Sequence, residues 1–158
     1  MSLAKPSLIS VSGANLRIGI VAARFNEPLV DALLARVQAG LAAAGVPAKK
    51  ISVVRVPGSH EVPWAVQALA QGRDCVIGLG VLIGGDTNHH EMVGQSVSHA
   101  LQHVALDTGV PVINGVIVAN TPAQARARCA GRIDRGAEFA RAALEMGALK
   151  RRSEVKKL

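Results

Sequence analysis

Short apolar runs rich in β-branched residues alternate along this chain with longer segments of helical periodicity. Four such runs are predicted strands: Arg17–Ala23, Ile51–Val56, Cys75–Ile83 and Pro111–Val118. The third run is apolar nearly throughout, as expected for a strand covered by helices on both faces. Strands that alternate with helices are joined by right-handed crossovers and pair in parallel. The pattern therefore predicts an α/β fold, with a four-stranded parallel sheet between two helix layers.

The segments between these runs carry apolar residues at helical spacing. The first predicted helix ends at Gly45, the second runs from about Glu61 to Leu69, and the third ends by Gly109. Two further helical segments close the chain. The apolar positions that indicate the first, third and last helices are Leu29, Leu33, Val37 and Leu41; Val93, Val97, Leu101 and Val104; and Phe139, Ala143 and Met146.

The 158 residues fit one domain, which we expect to span 17–149. Residues 1–16 form a predicted N-terminal arm, in which Leu8–Val11 has strand character but no partner before Gly13. We expect this segment to pair with a sheet edge of a neighbouring subunit. Residues 150–158 hold five basic residues and one acid, and the rest of the chain has 13 basic and 10 acidic residues. Much of the net charge of +7 thus lies in a tail expected to be solvated and frayed.

Composition argues against several classes of function. The basic residues lack interleaved aromatic side chains, because the only aromatics are Phe25, Trp64 and Phe139, so we expect no nucleic-acid partner. The apolar stretches are broken well short of ~20 residues, so we expect no membrane span. Cys75 and Cys129 are too few for a disulfide framework, and Cys75 is a predicted buried apolar residue. With no signal peptide apparent, we expect a cytoplasmic protein.

Ligands of open parallel sheets bind beyond the carboxyl ends of the strands. In this chain those ends are Arg24–Asn26, Pro57–Glu61, Gly84–His90 and Ala119–Thr121. These four segments are a site prediction that depends on topology alone.

The turn Gly84–Asn88 ends one predicted strand and opens a helix. Its two glycines allow a close backbone approach to a ligand, and the free amides of a helix start favour an anion. A phosphate cradle is one interpretation. An ordinary strand–helix turn with Thr87 or Asn88 as N-cap is the other, and the turn alone does not decide between them.

Histidines follow this turn directly. Histidine transfers protons readily near neutral pH, so His89 and His90 are candidates for general acid/base work, the alternative being a polar helix start. His99 and His103 have the i, i+4 spacing of metal ligands, but no Asp, Glu or Cys completes a known pattern. We expect no metal and no cofactor, and a metal-dependent hydrolase that uses the four histidines is an alternative function.

Three further side chains are candidates for ligand contacts. Phe25 lies at a strand end, where an aromatic ring can stack on a flat ligand or cap the core. Arg128 and Arg135, on or between the last helices, are ordinary surface residues unless the phosphate loop lies near, where either would clamp an anion.

From Arg17 to Leu149 the sequence resembles the lumazine synthase family. The matching pieces are Ala23–Glu27, Val56–Pro63, Gly80–His89, Thr108–Ile113 and Ala142–Met146. Each is short, but five pieces in the family's order and spacing are highly specific.

The resemblance implies a flavodoxin-like three-layer α/β/α sandwich that assembles into pentamers or shells of pentamers. It implies condensation of 5-amino-6-(ribitylamino)uracil with 3,4-dihydroxy-2-butanone 4-phosphate, which yields 6,7-dimethyl-8-ribityllumazine, phosphate and water in riboflavin biosynthesis. Riboflavin synthase is then a candidate partner. The chemistry requires proton transfer and a stabilised phosphate leaving group, and much of the acceleration can come from holding the two reactants together.

The resemblance also implies roles for individual residues by position. His89 is the proton carrier. The phosphate is held by Gly85, Asp86, Thr87 and Arg128. The pyrimidine and its ribityl chain are bound by Phe25, Ser59, His60, Glu61, Val81, Leu82, Ile83, Asn114 and Arg135, the last in place of a family lysine.

Four further positions depart from the family pattern. His60 stands where an aromatic residue is common, Asn114 where phenylalanine is frequent, Gly84 in place of a frequent arginine, and His90 in place of an aromatic. The ring pocket is thus more polar than usual, which motivates a second alternative, a lumazine- or flavin-binding paralogue without turnover. Retention of His89 and Arg128 argues against it, because a pure scaffold needs neither.

Overall fold

The computed structural model describes residue 7 and residues 9–155, the side chain of Val155 excepted. It contains one parallel sheet with the strand order β2-β1-β3-β4. The strands are β1 (Ile18–Ala23), β2 (Ile51–Val56), β3 (Cys75–Ile83) and β4 (Val112–Ala119). The predicted fold class and all four strands are confirmed, with bounds that differ by at most one residue.

The helices lie on both faces of this sheet. They are α1 (Glu27–Ala43), α2 (Val62–Ala70), α3 (His89–Thr108), α4 (Pro122–Cys129) and α5 (Arg135–Val155), with a short 3-10 turn (Ser59–Glu61) before α2. Gly45 and Gly109 follow α1 and α3 with φ values of 84° and 67°, a conformation that glycine adopts without strain and that ends both helices.

Alternation along the inner strands divides the core in two. Ile18, Ile20 and Ala22 of β1 face a cluster built with α1, α4 and α5, whereas Val21 and Ala23 face a cluster built with α2 and α3. Both faces of β1 and β3 are therefore buried, which explains the unbroken apolar runs of these strands. Because all four strands are parallel, their carboxyl ends meet at one edge of the sheet, and the loops that follow the strands lie there.

The basic tail differs from its prediction. Helix α5 passes residue 150 without a break and continues to Val155, so the described part of the tail is neither frayed nor fully solvated. Lys150 pairs with Glu154 one turn later, which stabilises the helix and lowers the pKa of Glu154. Arg151 donates to the backbone oxygen of Asn15 at 2.9 Å and to Asp74 at 3.4 Å. Residues 156–158 lie outside the described residues.

Two further predictions concern the N-terminal segment and Met146 of α5. Leu8 lies outside the described residues, and Ile9–Val11 form no strand within this chain, so the pairing of this segment with another subunit stays a prediction. Met146 lies at helical spacing on the same face of α5 as Phe139 and Ala143, as predicted, but it is 39% exposed and lines a groove with Ile9 and Val11.

Both cysteines are buried free thiols, as predicted for Cys75. Burial raises the pKa of Cys75 to about 12 and that of Cys129 to about 11. Both thiols are therefore protonated at neutral pH and are poor nucleophiles.

Among the described helices, none is long and apolar enough to cross a membrane.

Asp74 joins the start of the sheet to the last helix. Its carboxylate is 1% exposed, accepts the backbone N–H of Arg17 at 2.7 Å, and lies 3.4 Å from Arg151 Nη1. We expect Asp74→Ala to lower the free energy of unfolding by about 2–3 kcal/mol, because it removes the acceptor of the Arg17 N–H and the charge partner of Arg151.

Urea unfolding at one fixed protein concentration measures this effect. Asp107→Ala is the matched control, because that aspartate is exposed at the end of α3. If both variants unfolded at the same urea concentration as the unmodified protein, the Asp74 contact would contribute nothing to stability.

Candidate active site

A cavity of about 520 Å³ lies at the edge where the strands end. It is bounded by the loops that follow β1, β2 and β3 and by the first turn of α3. Its size suits a small ligand, and its position is the one predicted from topology. The cavity is lined by Phe25, Asn26, Gly58, Ser59, His60, Glu61, Val81, Leu82, Ile83, Gly85, Thr87, His89, His90 and Val93.

Phe25 is held at the mouth of this cavity by its backbone. Its N–H donates to the Pro57 oxygen at 3.0 Å, and the Asn26 side chain donates to the Val81 oxygen at 2.8 Å. Asn26 has a φ of 56°, the left-handed conformation that asparagine tolerates better than most residues. The loop is thus fixed while the Phe25 ring remains 74% exposed, as a stacking platform requires and a core residue does not.

The 3-10 turn after β2 supplies polar side chains to the cavity. Glu61 accepts the Gly58 N–H at 2.8 Å, and its other oxygen lies 4.0 Å from His60 Nδ1. Ser59 is only 4% exposed, and its hydroxyl has no hydrogen-bond partner among the described residues. A Cβ on Gly80 would lie 2.4 Å from this hydroxyl, so the missing side chain at residue 80 makes room for Ser59.

The end of β3 forms the apolar floor. Val81 is buried, whereas Leu82 and Ile83 are half-buried. These residues run past the end of β1, which pairs with β3 only as far as Leu79. The floor is therefore exposed to the cavity because the neighbouring strand stops short.

The turn that leads into α3 is tightly built at its start and open beyond it. Gly84 donates to the Ala119 oxygen at 2.8 Å, and a Cβ on residue 84 would lie 2.7 Å from the backbone oxygen of Asn120. The residues from Gly85 to His89 are exposed. Asn88 stands at the N-cap position, but its side chain makes no capping hydrogen bond. The first-turn amides of α3 are thus left without a side-chain cap, which favours the anion-cradle interpretation over an ordinary capped turn.

His89 and His90 are the first two residues of α3, and both line the cavity. His89 is exposed. His90 is half-buried, and neither of its ring nitrogens has a hydrogen-bond partner among the described residues.

Several residues expected in the site do not line this cavity. Asn114 pairs with Gly78, five residues and about 16 Å before the carboxyl end of β4. Arg128 donates to its own helix at the Gln124 oxygen, at 3.0 Å. Arg135 pairs with Glu138 and lies 5.3 Å from the centre of the Phe139 ring. Asp86 is exposed in the turn, outside the lining.

Other lining residues were not expected from the resemblance. Asn26, Gly58 and His90 belong to the segments predicted from topology, but Val93 does not. Val93 lies one helical turn after His89 on the face that meets the cavity. The i, i+4 spacing was the signal that would have placed it there.

The described residues contain no group of three or more His, Cys, Asp or Glu side chains that could hold a metal ion. His99 is exposed, and His103 lines a separate groove between α2 and α3. Neither shares the cavity with His89 and His90, so the structure does not bring together the four histidines of the hydrolase alternative.

Known proteins of one kind are similar to this chain. A family model described as 6,7-dimethyl-8-ribityllumazine synthase matches residues 15–151. A 6,7-dimethyl-8-ribityllumazine synthase of Laribacter hongkongensis is 41% identical, with 90% of this chain and 91% of the relative covered. Proteins of the same name from Polaromonas sp. and Pyricularia oryzae are 42% and 39% identical, over 92% and 88% of this chain and 94% and 90% of the relatives.

Proposed function

The chain belongs to the 6,7-dimethyl-8-ribityllumazine synthase family, and we propose that the cavity at the edge of its sheet is the site of that reaction. The enzyme condenses 5-amino-6-(ribitylamino)uracil with 3,4-dihydroxy-2-butanone 4-phosphate in riboflavin biosynthesis. One observation carries the assignment to this cavity: a stacking ring, a polar turn, an apolar floor, an uncapped helix start and a histidine all line it.

The pyrimidine is assigned to the part of the cavity lined by Phe25, the 3-10 turn and the end of β3, which we call the pyrimidine wall. Phe25 stacks on the flat ring, and Val81, Leu82 and Ile83 supply apolar contacts to it. Ser59, His60 and Glu61 hold the ring and the ribityl hydroxyls. The unpartnered Ser59 hydroxyl supports this assignment, because a buried hydroxyl without a partner is stabilised by a ligand that hydrogen-bonds to it.

The phosphate is assigned to the start of α3. Gly85, Asp86 and Thr87 present backbone amides there, and the helix dipole favours negative charge. The carboxylate of Asp86 does not line the cavity, so an amide cradle does not place it against the phosphate.

His89 is the proton carrier in this proposal. It follows the phosphate turn directly and lines the same cavity as the pyrimidine wall, in which a primary amine of one substrate would meet the ketone of the other. Amine attack, loss of water, loss of phosphate and ring closure each move a proton, and an exposed imidazole can carry protons between the reactants and solvent.

The working unit is proposed to be a pentamer, alone or packed into a shell, with each site shared between two subunits. Arg128, Arg135 and Asn114 lie outside the cavity of their own chain, so they would act at the cavity of a neighbour. Exposed apolar side chains favour subunit contacts, among them Trp64 at 76% and Leu106 at 71%.

Light scattering at assay concentration is expected to give a mass of at least five chains. Each site needs an arginine from elsewhere, so activity should fall as dilution separates the subunits. Turnover by a population that is monomeric under the same conditions would contradict the shared site.

A cytoplasmic location is also proposed, because buried free thiols suit a reducing compartment. Riboflavin synthase, as a consumer of the product, stays a candidate partner from the resemblance.

A turnover assay with both substrates in EDTA-treated buffer tests the proposed function. The lumazine is expected to form at the same rate as in untreated buffer, because the proposed residues need no metal. Activity that returned only with an added divalent ion would contradict the metal-free mechanism. Tight binding of the lumazine without turnover would instead favour the non-catalytic paralogue.

A further inference from the structure

His90 is a polar residue in the cavity wall without any polar contact. It lines the cavity, yet both ring nitrogens are shielded from solvent and neither has a hydrogen-bond partner among the described residues. A neutral imidazole carries one donor and one acceptor, and leaving both unpaired costs free energy. The proposed roles of the other residues give His90 no function that compensates for this cost.

The position of His90 in the helix permits its ring to move. It is the second residue of α3, so no preceding helical turn restricts its side-chain torsions. The adjoining turn from Gly85 to Asn88 is exposed and leaves space on that side. Rotation of the ring toward the cavity would bring its nitrogens to a bound ligand.

We propose that His90 is a specificity-determining residue, whose imidazole hydrogen-bonds to the pyrimidine substrate and to the lumazine product. The inference rests on the proposed function of this cavity. The ligand group must offer both a donor and an acceptor, and the imide edge of the pyrimidine and the ribityl hydroxyls both do so. The monoester dianion of the butanone phosphate offers acceptors alone, so it can pair with only one nitrogen of an imidazole that carries one donor and one acceptor. Ser59, the other unpartnered polar residue of the cavity, belongs to the same pyrimidine wall.

Three variants test the role of His90. His90→Phe keeps a ring of similar shape and removes both polar atoms, whereas His90→Gln keeps a donor and an acceptor. His99→Phe is the matched control, an exposed histidine of the same helix outside the cavity. The measurements are equilibrium titration with 6,7-dimethyl-8-ribityllumazine and with inorganic phosphate, thermal unfolding without ligand, and the mass of the assembly.

His90→Phe is expected to bind the lumazine about 5- to 30-fold more weakly and to unfold at a temperature higher by roughly 2–4 °C, because the unpaired nitrogens are gone. Its affinity for phosphate and its assembly should be unchanged. His90→Gln should retain most of the affinity for the lumazine, and His99→Phe should retain all of it. If His90 only packed in the cavity wall and made no hydrogen bond to the ligand, His90→Phe would not combine higher stability with weaker binding.

Titration with 6,7-dimethyllumazine, which lacks the ribityl chain, identifies the contacted group. If His90→Phe binds this ligand more weakly than the unmodified protein does, the imidazole contacts the ring edge. If the two proteins bind it equally well, the imidazole contacts the ribityl hydroxyls. Lumazine binding by His90→Phe as tight as that of the unmodified protein would overturn the proposal. Weaker binding together with a smaller assembly would also overturn it, since His90 would then contact another subunit. Failure of the unmodified protein to bind the lumazine would instead count against the proposed function.

Discussion

Replacement of His89 by alanine is expected to lower kcat about 100-fold while leaving the affinity for phosphate nearly intact. The imidazole is assigned to proton transfer between the amine, the carbonyl and the leaving groups, and not to neutralisation of the phosphate charge. The remaining residues still hold the two reagents together, so the loss should lie near the low end of the range for general acid/base catalysis.

Rates at saturating concentrations of both substrates, with a separate phosphate titration, measure the effect. His99→Ala is the control, because it removes an exposed imidazole from the same helix outside the cavity. Normal turnover by His89→Ala would show that the family role does not transfer to this residue. A parallel loss of phosphate affinity would mean that the imidazole binds the anion instead.

The sheet could be predicted almost to the residue because its signals are local. In β3 an apolar run of nine residues lies between Asp74 and a pair of glycines, and both faces of the strand are covered. The parallel order then brings the carboxyl ends of the strands together. Topology alone therefore indicated Asn26, Gly58 and His90, to which the family resemblance assigned no role.

Features that depend on contacts distant in the sequence could not be predicted in this way. The extension of α5 through the basic tail involves Arg151 and Asp74, which lie 77 positions apart. Composition describes the tail only as a run of charge, which is typical of a solvated end. The lack of hydrogen-bond partners for the His90 nitrogens could not be predicted from the sequence either, since a histidine at a helix start is normally exposed to water.

The expected site residues that lie outside the cavity show a second feature that the sequence does not predict, namely which subunit contributes a residue to a site. The resemblance assigns site roles to Asn114 and Arg135 as it does to Phe25, although both differ from the usual family residue, yet only Phe25 lies in the cavity of its own chain. A sequence match identifies a role in a site without identifying which subunit fills that role. Placement of these residues therefore depends on the assembly, and the proposed sharing of sites makes this dependence testable.

Arg128→Ala is expected to weaken binding of inorganic phosphate and of the butanone phosphate about 10- to 150-fold. A guanidinium that contacts a bound anion forms a charge-assisted hydrogen bond, and alanine leaves the anion without it. Affinity for the lumazine should change little, because the pyrimidine wall holds that ligand. Arg126→Ala is the matched control, an exposed arginine of α4 two positions away. Equal phosphate affinity in Arg128→Ala and the unmodified protein would remove this residue from the site.

The two variants together test whether a site is shared. If His89 and Arg128 of one site come from neighbouring subunits, a mixed assembly of His89→Ala and Arg128→Ala chains contains some sites with both residues intact. In a cyclic ring with random mixing, about one site in four regains both. Activity should therefore rise well above that of either variant when the two are unfolded together and reassembled, and not when the separate assemblies are merely combined. If both residues served one site from the same chain, every site would lack one of them, and reassembly would restore nothing.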